Sequence, residues 1–292
     1  YYAIVMLDGD SMGRWLSGEF LVDKTQLLDF HKKLTKELGG YAACVDGEKS
    51  EKGIKEPKGK LVYAGGDDVL AFLNLSHLLS VMKELRAKFP KFEEFGFELK
   101  DNKKSSASAG IAIAHYKTPL SEVLTWARKM EKEAKSIDDD KDAFAIAVLK
   151  RSGEIRKTVF KWQYEKSSAI EILEKLIMSL KQDKHTKQRV FSSTFIKNLG
   201  REFRRLMDEE GQYDYKDSID TEVKRLLERA CVMERRPDET KEEFLQRKKH
   251  AVDDLTKKLD MLYTNSKSLD NFLSALDIAD FIEQEALNDT EN

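Results

Sequence analysis

The sequence predicts an α+β domain of ferredoxin-like type followed by an all-α helical bundle domain. Two observations carry this. Up to about residue 162, short apolar runs alternate with helical periodicities in the order β-α-β-β-α-β. From about residue 167 onward the strand signal disappears and long amphipathic segments take over. The expected boundaries are therefore 1–162 for the first domain and 163–292 for the second.

The elements follow in order. Tyr1 to Leu7 is apolar throughout, as suits a central strand covered on both faces. Thr25 to Leu38 places Leu27, Leu28, Phe30, Leu34 and Leu38 at helical spacing, and Gly39-Gly40 reads as its end. A short strand is expected over Tyr41 to Val45, then an exposed, mobile loop over the charged stretch Asp46 to Lys60. Lys60 to Ala64 and Val69 to Leu73 form the arms of a hairpin. Ser76 is expected to cap a helix that runs to Lys88 and stops before Pro90. Ser106 to Ala114 is a strand of small residues, able to lie close to a neighbour. A helix runs from Pro119 through Trp126 and Met130 to Lys135, and Lys141 to Lys150 is the next strand. This is a ferredoxin-like sheet with helices expected on one face, to which Val159, Phe160 and Trp162 add an edge strand. Five helical segments follow: Ser167 to Leu180, Ser192 to Met207, Ser218 to Val232, Lys241 to Leu262 and Leu269 to Ala286.

Composition narrows the function classes. A chain of 292 residues can bury two cores. Its formal net charge of −2 argues against bulk electrostatic binding of nucleic acid, while leaving a local basic groove open. Lys181 to Arg189 and the pair Arg204-Arg205 could meet a nucleic-acid backbone, although such charges more often form a solvated helix face. Cys44 and Cys231 lie far apart without CxxC spacing, which disfavours a disulfide framework or zinc site and points to a reducing compartment. No apolar run reaches about 18 residues, so no membrane span is expected. The sequence begins inside a strand without an initiator Met, and is expected to be part of something longer.

Two acidic clusters carry the chemistry. Gly65-Gly66-Asp67-Asp68 sits between the hairpin arms, and two carboxylates on a tight turn suit hard divalent cations. Taken alone it is equally a hairpin turn with solvated aspartates. Asp8-Gly9-Asp10-Ser11-Met12-Gly13 ends the first strand, where carboxylates followed by Gly and Ser read as a metal site with a phosphate-binding turn, or as an Asx turn. On neighbouring strands the two clusters could hold two metal ions, about 3.5–4 Å apart, as phosphoryl and nucleotidyl transfer often uses.

These clusters, together with Ala107 to Leu120 (Ala-Ser-Ala-Gly-Ile-Ala-Ile-Ala-His-Tyr-Lys-Thr-Pro-Leu) and Asn271 to Leu276, resemble one family. It is the large, polymerase/cyclase-like subunit of type III CRISPR effector complexes, in its Cmr-type form. The resemblance spans nearly the whole chain, as a second palm domain and a C-terminal helical domain. It implies a palm that makes cyclic oligoadenylates from ATP, by metal-dependent 3′-5′ nucleotidyl transfer, when the complex holds target RNA.

Carried over by position, Asp8 and Asp67 are the implied ligands of Mg²⁺ or Mn²⁺, with the Gly9 carbonyl assisting. Asp68 completes the acidic set by binding metal or orienting the 3′-hydroxyl. Backbone amides of Ser11, Met12 and Gly13 are implied to receive triphosphate oxygens, as a turn before a helix can. Gly65 and Gly66 would leave room for the nucleotide, and Lys135 matches a lysine that reaches phosphates in cyclase palms. The implied partners are the other protein subunits, guide and target RNA, and the implied place is the cytoplasm, without a membrane.

The sequence also departs from the family. None of its five histidines is followed by Asp, so the adjacent His-Asp pair of the family's nuclease domain is missing. The first palm and any cysteine-rich zinc element are missing too. Two other readings stand beside the oligoadenylate synthase. One is a stand-alone dinucleotide cyclase using GTP, and the other is a non-catalytic structural subunit.

Overall fold

A computed structural model of the chain describes residues 1–47, 53–182, 188–212 and 216–288. They form two compact units, residues 1–155 with 159–162 and residues 156–158 with 163 onward. The first contains β1 (Tyr2–Gly9), α1 (Met12–Leu16), α2 (Leu27–Asp46), β2 (Gly59–Gly65), β3 (Asp68–Leu73), α3 (Leu78–Lys88), β4 (Ala107–Ala114), α4 (Leu120–Lys135) and β5 (Ala143–Leu149). Strand β6 (Ile155–Lys161) completes a six-stranded sheet of order β2-β3-β1-β4-β5-β6. The first four strands have the ferredoxin-like order. β5, reached from β4 through α4, adds a parallel strand beside β4.

The sheet brings several chain segments to one end. β1 runs antiparallel to both β3 and β4, pairing Leu7 with Val69 and Asp8 with Ser108. The C-terminal end of β1 therefore lies beside the starts of β3 and β4. Because β4 and β5 are parallel, α4 must return to that same end before β5 begins. Its last turn and the following turn thus arrive next to Asp8.

Small residues set how closely α4 approaches. Val123 and Ala127 pack with Ile4, Ala112 and Ala114, and Met130 and Ala134 pack with Ala143, Ala145 and Ala147. Gly110 is the tightest point: a Cβ there would lie 2.1 Å from the Glu131 nitrogen and 2.2 Å from the Ala127 oxygen. Every residue of β4 and β5 is buried. The centre of the sheet is thus covered on both faces, with α4 packed against β1, β4 and β5 on one of them.

Two local expectations also change. Tyr41 to Val45 is the end of α2, because Tyr41 and Val45 continue the buried stripe of Phe30 and Leu34. The Tyr41 hydroxyl donates to the Leu85 carbonyl at 3.2 Å. Burial of this face outweighs the roughly 1 kcal/mol that each helical glycine costs, so the helix runs through Gly39-Gly40. Asn74, not Ser76, accepts the capping hydrogen bond before α3, in a short 3-10 turn. The expected loop over Asp46 to Lys60 lies partly outside the described residues. Ile54, within it, is buried and donates its N–H to the Val45 carbonyl at 2.9 Å.

The second unit holds α5 (Ala169–Leu180), α6 (Thr194–Phe203), α7 (Lys216–Ala230), α8 (Lys241–Thr264) and α9 (Leu269–Asn288). Their buried faces include Leu173, Leu176, Phe195, Leu199, Leu227, Leu259 and Phe272. Arg204 pairs with Asp277 at 2.7 Å, so it is an internal tie and not part of a nucleic-acid face. Within the stretch Lys181 to Arg189, residues 183–187 lie outside the described residues. Both cysteines are free, and no helix among the described residues is long and apolar enough to cross a membrane.

A capping box starts α8, with the Thr240 side chain accepting from the Glu243 N–H and Glu243 reaching back to the Thr240 N–H. Thr240→Ala is expected to cost about 1 kcal/mol of helical-unit stability. Urea unfolding measures this, and an unchanged midpoint would contradict it.

Candidate metal and phosphate site

The two acidic clusters meet. Ligand oxygens of Asp8, Asp67 and Asp68 all lie within 4.8 Å of one another. Asp8 reaches the site from the end of β1 and Asp68 from the start of β3. Asp67 comes from the two-residue hairpin loop between Gly65 and Asp68, which pair across the strands. Gly66 opens that loop at φ 84°, the position where type II′ turns place glycine.

Two other glycines are explained by contact. A Cβ on Gly9 would meet Met12 at 2.8 Å and the Cβ of Asp67 at 3.0 Å, so its absence lets the two clusters close up. Gly65 is a strand residue, and the Tyr63 phenol lies where its Cβ would point. Room for a ligand therefore opens at Gly66, where a Cβ would find only Leu38 at 3.8 Å, and not above Gly65. Gly13 has open space around its Cβ direction.

A cation stands among the carboxylates. Lys135, in the last turn of α4, forms an ion pair with Asp8 and a second with Glu131 at 3.1 Å. Burial, then the nearby Lys141 charge, hold its ammonium below the usual lysine range, at about 8, while the two carboxylates it touches pull the other way. Asp67 is pushed up by burial and then by the charge of Asp68, and Asp68 is pushed up by burial. Glu131 is pushed up by burial and then by the charge of Asp68. Such crowding of half-buried carboxylates makes an all-oxygen pocket that fits a hard divalent cation.

Ser11 begins α1 in the left-handed conformation, φ 58°, and its carbonyl accepts from the N–H groups of Arg14 and Trp15. The amides of Ser11, Met12 and Gly13 thus lie at the first turn of a short helix beside the acidic cluster. All ten residues expected at the site belong to the two clusters or to the last turn of α4. The structure adds Glu131, which the sequence reading missed, although its i,i+4 spacing to Lys135 was a signal.

The six-stranded sheet with its flanking helices and acidic end is a palm-like domain. Residues 1–145 match the model of the Cas10/Cmr2 second palm domain. The CRISPR system Cmr subunit Cmr2 of Pyrococcus furiosus is 34% identical over 183 residues, covering 56% of this chain and 20% of that protein. Type III-B Cmr-beta structures, in the apo state and bound to cognate target RNA, each superpose with a TM-score of 0.51. Their identities are 15% and 16%, over 96% and 97% of this chain and 38% and 39% of those chains. The chain is a type III Cas10/Cmr2-like subunit, and residues 1–145 belong to the second palm domain of that family. It spans about a fifth of the curated relative and under two fifths of the matched structures.

Proposed function

We propose that this palm, within a type III RNA-guided complex of the cytoplasm, converts ATP to cyclic oligoadenylates by 3′-5′ nucleotidyl transfer when target RNA is bound. The observation that carries the reading is the convergence of Asp8, Asp67 and Asp68 beside Lys135. Nothing in a ferredoxin-like core requires three half-exposed carboxylates to face one another, and their mutual repulsion opposes folding. Protein subunits and RNA as partners are supported by the likeness to Cmr-beta assemblies, one of them bound to target RNA.

Asp8, Asp67, Asp68 and the Gly9 carbonyl would hold Mg²⁺ or Mn²⁺, which when bound acidifies the attacking 3′-hydroxyl and neutralises charge on the α-phosphate and pyrophosphate. Asp67, in the loop, is the firmer ligand. Asp68, more exposed, binds metal or orients the 3′-hydroxyl. Lys135 supplies positive charge to the phosphates, and the amides at the start of α1 receive their oxygens. Gly66 leaves the space through which the nucleotide approaches. The acid set needs no covalent nucleophile.

The test is product analysis by mass spectrometry, using the assembled complex with ATP or GTP, Mg²⁺ or Mn²⁺, and target RNA. Cyclic oligoadenylates from ATP, dependent on target RNA, are expected. Cyclic diguanylate from GTP would instead support a stand-alone dinucleotide cyclase. Absence of any turnover, with intact assembly, would assign the palm a structural role.

A further inference from the structure

We infer that the turn after β4, built on His115, Tyr116 and Lys117, is a stacking platform for an unpaired base of single-stranded RNA. This rests on the reading of the chain as part of an RNA-guided complex, and not on oligoadenylate synthesis.

The turn stands at the end of the sheet away from the acid set. Tyr2 pairs with Ala114 and Asp8 with Ser108, so the strand length between them, roughly 20 Å, separates the two ends. His115 follows Ala114 directly. Its ring makes an edge-to-face contact with Tyr1, at 5.2 Å between centroids and 77° between planes. On its other neighbour, Tyr116, it lies at 4.3 Å and 35°. Hydrogen bonds fix this array. The Thr118 N–H donates to the His115 carbonyl at 2.8 Å, and the Lys117 N–H donates to His115 Nδ1 at 3.2 Å. Nδ1 is therefore an acceptor, and the imidazole carries its proton on Nε2. The Arg151 N–H, in the turn between β5 and β6, donates to the Tyr1 hydroxyl at 3.4 Å.

The array holds Tyr116 out to solvent. That side chain is 69% exposed, yet its ring is braced by His115, so little freedom remains for a ligand to remove. Core packing does not account for it: every residue of β4 through Ala114 is buried, and burial stops at this turn. Lys117 Nζ lies 5.7 Å from the centre of the Tyr116 ring, and Arg151, bonded to Tyr1, is exposed as well. Among the described residues neither cation pairs with a carboxylate, and Glu154, in the same turn as Arg151, is held by Lys150 at 2.9 Å. An aromatic face beside cations without counter-ions is the chemistry that holds single strands. Every base offers a π-face, and the adjoining phosphate takes the positive charge. Bases within a duplex already stack on one another, so the platform suits an unpaired nucleotide.

The experiment uses the assembled complex containing the full-length subunit, with 4-thiouridine at unpaired positions of the guide RNA in one arm and of the target RNA in the other. After irradiation, adducts are mapped by mass spectrometry. Adducts on His115 to Lys117 are expected from at least one arm, which names the source of the base. Lys117→Ala, which leaves the rings in place, should lower their yield about threefold or more, while Tyr116→Phe should keep it within about twofold. Tyr116→Ala should cut the yield on the remaining residues of the turn at least about fivefold. Its melting temperature should not change, because the side chain is exposed. Adducts elsewhere in the complex but none on this turn in either arm overturn the inference, as does an unchanged yield in Tyr116→Ala. If Tyr116→Ala instead keeps the subunit out of the complex, the turn is a protein contact and the inference falls. ATP is left out of both arms, so the outcome is independent of whether the palm makes oligoadenylates.

Discussion

Replacing Asp67 and Asp68 together by alanine is expected to lower oligoadenylate synthesis by at least about a thousandfold, the loss of several kcal/mol of charge stabilisation. The same change should leave the metal-free protein as stable as before, or more so. Both carboxyls have pKa values raised above their ordinary range in the folded chain. A group that holds its proton more tightly when folded favours folding at low pH, and this contribution disappears as pH rises through its folded pKa. At neutral pH the two carboxylates are therefore liabilities that a bound cation would relieve. Mn²⁺ should raise the melting temperature of the wild type and not that of the variant. A melting temperature several degrees lower in the metal-free double variant would show that the acids serve packing instead.

Gly110→Ala is expected to be the most damaging single change in the sheet. The added methyl carbon would meet main-chain atoms of Ala127 and Glu131, which cannot swing aside as side chains do. Helix α4 must then lift from β4, at about 3 kcal/mol, or roughly 6–12 °C in melting temperature. Lys135 and Glu131 would move with it, so molecules that remain folded should also bind ATP less well. Gly39→Ala in α2 is the control. Its added carbon meets nothing within 4 Å, and alanine suits a helix interior, so stability should hold or rise by up to about 1 kcal/mol. Equal melting temperatures for the two variants would refute the close-contact account.

Much of this was legible in the sequence because it depends on local pattern. The apolar run before Asp8, the small-residue strand and the five amphipathic segments each report their own periodicity, and each became an element. The acid set was readable because both clusters end strands. The misreadings arose where distant packing decides. Gly39-Gly40 looked like a helix end, but the burial of Tyr41 and Val45 carries α2 across it. Glu131 was passed over although it stands four residues before Lys135, because its place at the site depends on how close α4 lies to Gly110, a contact that no local pattern reports.

The pairing of Lys135 with Asp8 has a thermodynamic consequence. One ammonium cannot serve a carboxylate and a phosphate fully at once, so the acid set carries its own counter-ion. Whatever cation takes over Asp8 releases that charge toward an anion, and an anion that draws Lys135 away leaves Asp8 open to a cation. The two occupants then favour each other, and linkage makes the effect equal in both directions. Such a pocket is tuned to a neutralised pair arriving together rather than to either member alone.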